Sequence, residues 1–363
     1  MQAIRSILLA FLVFFLISSR CISQSTSWYK CYIGNIDKYP VTLHLHKAGH
    51  DYTGYYYYNS RQQPIYFSGE DTTDAAHIKL SCFIPDKEAN EGFSFSIKGK
   101  IADGKWSSGN AKELIFSARE DSTALTFDYI YTNGSALLRP KLEESPAGTF
   151  YTASVWPKGT TVQILFLKRL ISGELDEEPT TDDIGKTFLR QKKKFFAVYN
   201  EDYKNMKDEE LKGAYSYNSD MTNNLMVCYK SSKLIVFASF FYSYTGGAHG
   251  NYSTDYIPVD LTANKRLVVG DILNKTGQAK LSELLAKSFR KQYNLKDNEP
   301  LTEGGLFDDK IEPNSNFYVT SKGIGFCYNP YEIGPYAMGE INIYISFSEL
   351  TAYLQPAFKK LIQ

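Results

Sequence analysis

"VTLHLHKAGHDYTGYYYYN", Val41–Asn59, holds two alternating runs around a break at Ala48-Gly49. In an extended chain successive side chains point to opposite faces, so Val41–His46 and Tyr52–Tyr58 read as neighbouring strands joined by a turn. Tyr55 and Tyr57 then share one face and Tyr56 and Tyr58 the other. One pair packs an interior while the other lines a surface, by packing or by stacking on a sugar. Outward from this pair the pattern recurs at Tyr29–Ile36, Ile65–Ser68, His77–Cys82, Phe93–Ile97, Lys100–Trp106 and Leu114–Ser117, with no helical period. Eight short strands at this spacing predict an all-β antiparallel meander over residues 24–140, closed as a small barrel or folded as a sandwich.

His44 and His46 lie on one face of their strand, about 7 Å apart by strand rise, with His50 beyond the turn. Three imidazoles suit a metal. No acidic or cysteine ligand stands at fixed spacing beside them, so no metal is assigned.

The stretch ending at Gly148 combines Pro140 and Pro146 with charges, as linkers do, and 141–148 is read as the boundary. Beyond it the pattern changes. Thr161–Leu170 reads as an apolar strand, and the chain to Tyr199 as a helix with Ile184, Phe188 and Phe195 on one face. Leu225–Lys230, Leu234–Tyr244 and Tyr252–Leu261 read as strands. Thr276 caps a helix striped by Leu281, Leu284, Leu285 and Phe289. "NFYVTSKGIGFCYN" is a hairpin about Lys322-Gly323, "EINIYIS" a strand, and a last helix starts near Ser348. Antiparallel strands interspersed with helices make residues 149–363 an α+β domain. Two domains also suit 363 residues.

At the start, Arg5, the apolar run Ile7–Ile17 and small residues to Ser23 predict a signal peptide over 1–23. An exported protein, periplasmic or extracellular, follows, with no membrane span after cleavage. Lipidation at Cys21 is the alternative, disfavoured by Arg20 before it. The 40 basic and 40 acidic residues cancel. A neutral chain has no long-range field for nucleic acid.

Cys31, Cys82, Cys228 and Cys327 remain after cleavage, an even number in an oxidising compartment, and suggest disulfides. The domain division pairs Cys31 with Cys82 and Cys228 with Cys327, with free buried thiols as the alternative.

No G-x-S-x-G elbow, phosphate loop or H-E-x-x-H helix occurs, and His249 is the only histidine of the second domain. No catalytic residue and no cofactor are assigned. "YSYTGGAHGNYS", Tyr242–Ser253, reads as a turn in which Gly246, Gly247 and Gly250 give the backbone its freedom, with His249 as a contact residue. "CYNPYEIGPYAMGE", Cys327–Glu340, is a long irregular segment. Tyr331 and Tyr336 there supply rigid amphipathic area and Glu332 a charged anchor.

These two motifs, "YTGGAHGNYSTDYIPVDL" and "FYVTSKGIGFCYNPYEIGPYAMGEINIYISFSEL", resemble the extracytoplasmic domains of unknown function in RsiV-type anti-sigma factors and PdaC-type peptidoglycan deacetylases. The resemblance covers roughly residues 145–355. It implies a cell-envelope recognition domain, which binds lysozyme in the anti-sigma factors and accompanies a separate catalytic domain in the deacetylases. The chain shows neither a sigma-binding segment nor a metal-binding deacetylase domain, so those two activities are not expected. The reading is an exported, non-enzymatic binding protein for a lysozyme-like protein or a peptidoglycan-like glycan, contacting it through His249, Tyr331, Glu332 and Tyr336. The alternatives are an envelope hydrolase with His249 or Glu332 as acid–base, with Asp255 as a partner for His249, and a structural component without a small ligand.

Overall fold

The computed structural model describes residues 26–71, 77–82, 91–109, 112–122 and 125–363. The signal peptide expected over 1–23, and Cys21, lie outside the described residues.

Alternation in the first eight strands produces a closed surface. They are β1 (Ser27–Ile36), β2 (Tyr39–Ala48), β3 (Asp51–Tyr58), β4 (Ile65–Asp71), β5 (His77–Cys82), β6 (Glu91–Lys98), β7 (Ile101–Ser108) and β8 (Lys112–Glu120). Each pairs antiparallel with the next, and β8 returns to β1 from Tyr32 opposite Glu120 to Ile36 opposite Phe116, so the barrel alternative holds. Leu43, Leu45, Tyr56, Phe67, Phe95 and Phe116 fill its interior. The period of two sends His44, His46, Tyr55 and Tyr57 outward. All four are nevertheless buried, because the second half of the chain covers that face.

The second half is built on a six-stranded sheet in the order β14-β13-β12-β11-β10-β9. Its strands are β9 (Phe127–Leu137), β10 (Ala147–Pro157), β11 (Ser219–Lys230), β12 (Leu234–Tyr244), β13 (Asn251–Asp260) and β14 (Lys265–Arg266). Residues 141–148, expected as a linker, lie in the connection from β9 to β10 and at the start of β10, with the Leu138 amide donating to the Pro146 carbonyl at 2.8 Å. The sheet therefore begins at Phe127, ahead of the expected boundary. Prolines and charges suit a hairpin connection as well as a linker, since both are solvated turns.

β10 and β11 are parallel, which requires a crossover. It is made by α1 (Val162–Leu175), α2 (Ile184–Asp202) and α3 (Asp208–Leu211). Here the expected strand at Thr161–Leu170 is corrected to helix α1. The Thr161 hydroxyl accepts from the Ile164 amide as its cap, and Ile164, Leu167 and Ile171 form the buried stripe. A short apolar run carries no period that separates strand from helix.

A three-stranded antiparallel sheet of β15 (Phe317–Val319), β16 (Gly323–Tyr328) and β17 (Ile341–Ser346) completes the fold. Around it lie α4 (Val269–Ile272), α5 (Lys275–Ala279), α6 (Leu281–Gln292), α7 (Phe347–Leu350) and α8 (Pro356–Leu361). Thr276, expected to cap the helix striped by Leu281, Leu284, Leu285 and Phe289, lies inside the short α5, which Asn274 caps by accepting from the Gly277 amide at 2.9 Å; the striped helix α6 starts separately after Lys280. The single last helix expected from Ser348 is two, α7 and α8, with Pro356 opening the second where its missing N–H costs nothing. Among the described residues no helix is long and apolar enough to cross a membrane.

The expected disulfides are corrected as well: all four cysteines are free and buried. Cys82 lies inside the barrel and Cys31 in the core beneath its outer face, so the barrel wall separates them. Cys228 on β11 and Cys327 on β16 share one core, and the Cys228 thiol donates to the Val236 carbonyl at 3.4 Å. Burial pushes the Cys31 thiol up to about 12 and raises the other three, which keeps them protonated and unreactive.

Candidate functional site

The connection from β12 to β13 opens and closes on the pair Ser243–Asn251. Gly246 and Gly247 adopt φ of 98° and 94°, a region that side-chain-bearing residues rarely enter. Gly250 serves a different need, since a Cβ there would lie 2.5 Å from the Tyr242 ring.

His249 stacks on Tyr336 with ring centroids 4.0 Å apart and planes 25° apart. Its Nδ1 sits 2.8 Å from the Gly250 carbonyl oxygen, so Nδ1 carries the proton and donates. The Tyr336 hydroxyl donates to the same oxygen at 2.9 Å. Tyr252 meets Tyr336 edge-on at 5.8 Å, and Tyr331 lies 5.7 Å from it on another side. Tyr331 is 54% exposed and holds φ at 72°, a strained value for a bulky residue, fixed by its amide donating to the Gly334 carbonyl at 3.1 Å.

The structure thus brings His249, Tyr331 and Tyr336 together from two distant stretches. Glu332 belongs to the same turn but is engaged elsewhere, accepting from Asn314 at 3.2 Å and Asn329 at 3.4 Å. His249 forms no hydrogen bond to Asp255 or Glu332 among the described residues, so the expected acid–base pairing is not assembled.

Two asparagines lock this arrangement. β14 covers β13 only at Val259 and Asp260, which leaves the stretch around Thr254 in need of partners. Asn329 accepts from the Thr254 amide at 2.8 Å, while Asn316 accepts from the Tyr256 amide at 2.8 Å and donates to the Thr254 carbonyl at 2.7 Å. The Thr254 hydroxyl donates to Glu340 at 2.6 Å. Burial raises the Glu340 carboxyl above its ordinary range; the Thr254 hydroxyl opposes this and the negative charge of Asp255 adds to it. Asp255 is raised too, by burial, with Arg266 opposing.

Tyr252, Thr254, Asn316, Asn329 and Glu340 escaped sequence reasoning. Glu340 ends the quoted "CYNPYEIGPYAMGE", yet its partner lies 86 positions away and no spacing signals it. The assembled chemistry is aromatic stacking flanked by carboxylates, on a frame held by backbone hydrogen bonds.

Residues 270–348 match the family described as a protein of unknown function, DUF3298. The DUF3298 span contains β15 to β17 and the Tyr331–Glu340 loop, whereas His249 and Thr254 precede it, so the site joins matched and unmatched chain. A crystal structure of a DUF3298 family member from Bacteroides fragilis is similar to 66% of this chain and 98% of its own, at 26% identity and a TM-score of 0.55. A DUF3298 family protein from Pseudomonas aeruginosa covers 64% of this chain and 95% of its own, at 14% identity and a TM-score of 0.43. No curated protein matches.

Proposed function

We propose that this protein is an exported binding protein of the bacterial cell envelope, acting without catalysis through the aromatic knob of Tyr331, Tyr336 and His249. The observation that carries this reading is Tyr331: an exposed ring, held at a strained φ and backed by a stacked pair. Strain kept at the surface supports a recognition role, and rigid aromatic side chains dominate binding energy at interfaces. The resemblance of both motifs to lysozyme-binding envelope domains supports a lysozyme-like protein as the partner. The row of rings beside Glu332 supports a peptidoglycan-like glycan as the second reading, with the tyrosine faces stacking on sugar rings.

Calorimetry of the mature chain against lysozymes and against muropeptides tests both. Tyr331→Ala is expected to weaken the interaction by about 30-fold or more, the effect of removing an aromatic anchor worth about 2 kcal/mol. Unaltered affinity in the variant, or no binding to either class, overturns the reading. Turnover of peptidoglycan fragments that disappears in a folded His249→Ala protein would replace it with the hydrolase.

A further inference from the structure

We propose that a polar cavity at the seam between the barrel and the α+β half binds a small oxyanion, a carboxylate or a phosphate group. The cavity has a volume of about 320 Å³, within the range of small-ligand sites. Four parts of the chain converge on it. Thr42, Asn59 and Gln62 come from the barrel, Lys230 to Lys233 from the β11–β12 turn, and Ser321 from the β15–β16 turn; residues 361–363 close a further wall. It shares no residue with the His249–Tyr336 site.

The lining presents donors. Gln62 Oε1 accepts from the Ser321 amide at 3.1 Å and from its hydroxyl at 2.8 Å. A backbone N–H can only donate, so the oxygen of Gln62 is fixed on Ser321 and its NH₂ group is the free end. Gln62 holds this pose at a φ of 57°, outside the comfortable range of a side-chain-bearing residue. Asn59 Oδ1 accepts from the Thr42 hydroxyl at 2.9 Å.

Two ammonium groups complete the set. Lys233 donates to the Lys360 carbonyl at 2.9 Å, using one of its three N–H groups. The Lys230 side chain is only 6% exposed, and its ion-pair partner among the described residues, Asp121, stands 3.8 Å away, beyond hydrogen-bond length. No aspartate or glutamate lines the cavity. The Lys230 charge is held at ion-pair distance from Asp121, and Lys233 is the ammonium with N–H groups to spare. Amide nitrogens and two lysines around a space free of acidic side chains define the chemistry of an oxyanion: charge neutralised by lysine, oxygens taken by N–H and O–H donors.

Calorimetric titration of the full mature chain with inorganic phosphate, and separately with acetate, at constant ionic strength in chloride, tests this. Saturable binding of one or both is expected, and the stronger of the two identifies the group. Lys233→Gln should weaken it at least about tenfold, as should Gln62→Leu, the loss of a hydrogen bond to a charged group. Lys193→Gln, which removes the same charge from the exposed side of α2, should leave it unchanged. A chain extended beyond Gln363 controls for a carboxylate supplied by the protein itself. The proposal fails if neither anion saturates, if Lys193→Gln weakens binding as much as Lys233→Gln, or if only the extended chain binds.

Discussion

Gly250 has no side chain, yet three side chains depend on its position. Its carbonyl accepts from both His249 and Tyr336, and its Cα faces the Tyr242 ring with no room for a methyl group. Gly250→Ala is expected to cost about 1–3 kcal/mol, the usual effect of forcing volume into a packed site, and to weaken partner binding with it, because the carbonyl that aligns both rings is displaced. Urea denaturation followed by a binding titration at matched folded fraction checks both effects. Unchanged stability would show that Tyr242 yields freely. Three glycines around a histidine were legible as a turn, since few other compositions permit one. That Gly250 answers to a ring eight positions earlier was not.

Among elements, the barrel strands were the most readable, because each is bounded by turn residues and buries alternate positions, as Leu43, Leu45 and Tyr56 do. Readability failed where local pattern and tertiary setting diverge. The run at 162–171 is apolar enough to pass for a strand, and only its packing on β10 and the cap at Thr161 make it helical. Pro140 and Pro146 look like a linker but occupy a connection within one sheet. The edge of β13 makes a testable case of the same kind. Its amides at Thr254 and Tyr256 are served by side chains, an arrangement that no periodicity announces. Asn316→Ala strips the Tyr256 amide and the Thr254 carbonyl of their partners, and is expected to destabilise by about 1–3 kcal/mol. Hydrogen exchange should show the Tyr256 amide opening more often in the variant; equal protection would mean that another acceptor replaces Asn316.

At the scale of the whole molecule, the histidines of "HLH" are not surface groups. They are seam residues. The Val227 amide donates to His46 Nε2 at 3.1 Å, so the proton of that ring is on Nδ1, directed at the Thr53 carbonyl 3.3 Å away. His44 is fully buried, with Nδ1 2.9 Å from the Tyr29 hydroxyl. Burial lowers His46 to about 3, its bond to Thr53 opposing; burial, then the charge of Lys230, then His46 lower His44 well below the ordinary value of 6.5. Between about pH 3 and 6.5 the unfolded chain therefore binds protons that the folded one refuses. Stability is complete above pH 6.5 and falls with acidification, by about 1.4 kcal/mol per pH unit for each histidine. Urea midpoints measured between pH 7.5 and pH 5 should show this slope, reduced by one proton in His46→Gln. A variant that keeps the parental slope would remove His46 from the account.

His46 and Val227 stand 181 positions apart in the chain. The barrel closes on its own strands, so its interior becomes dry once residue 120 has emerged. Its outer face does not. β9 reaches Tyr29 and His46 early, through Phe127 and Tyr129, but His46 Nε2 and the Tyr57 ring must wait for Val227 and Tyr229 of β11, which follow the whole α1–α3 crossover. A chain synthesised from its N-terminus thus carries a finished barrel with one incompletely covered side from Glu120 until Ser219, a little over a quarter of its length. That interval leaves apolar surface uncovered, the condition in which partly made chains aggregate.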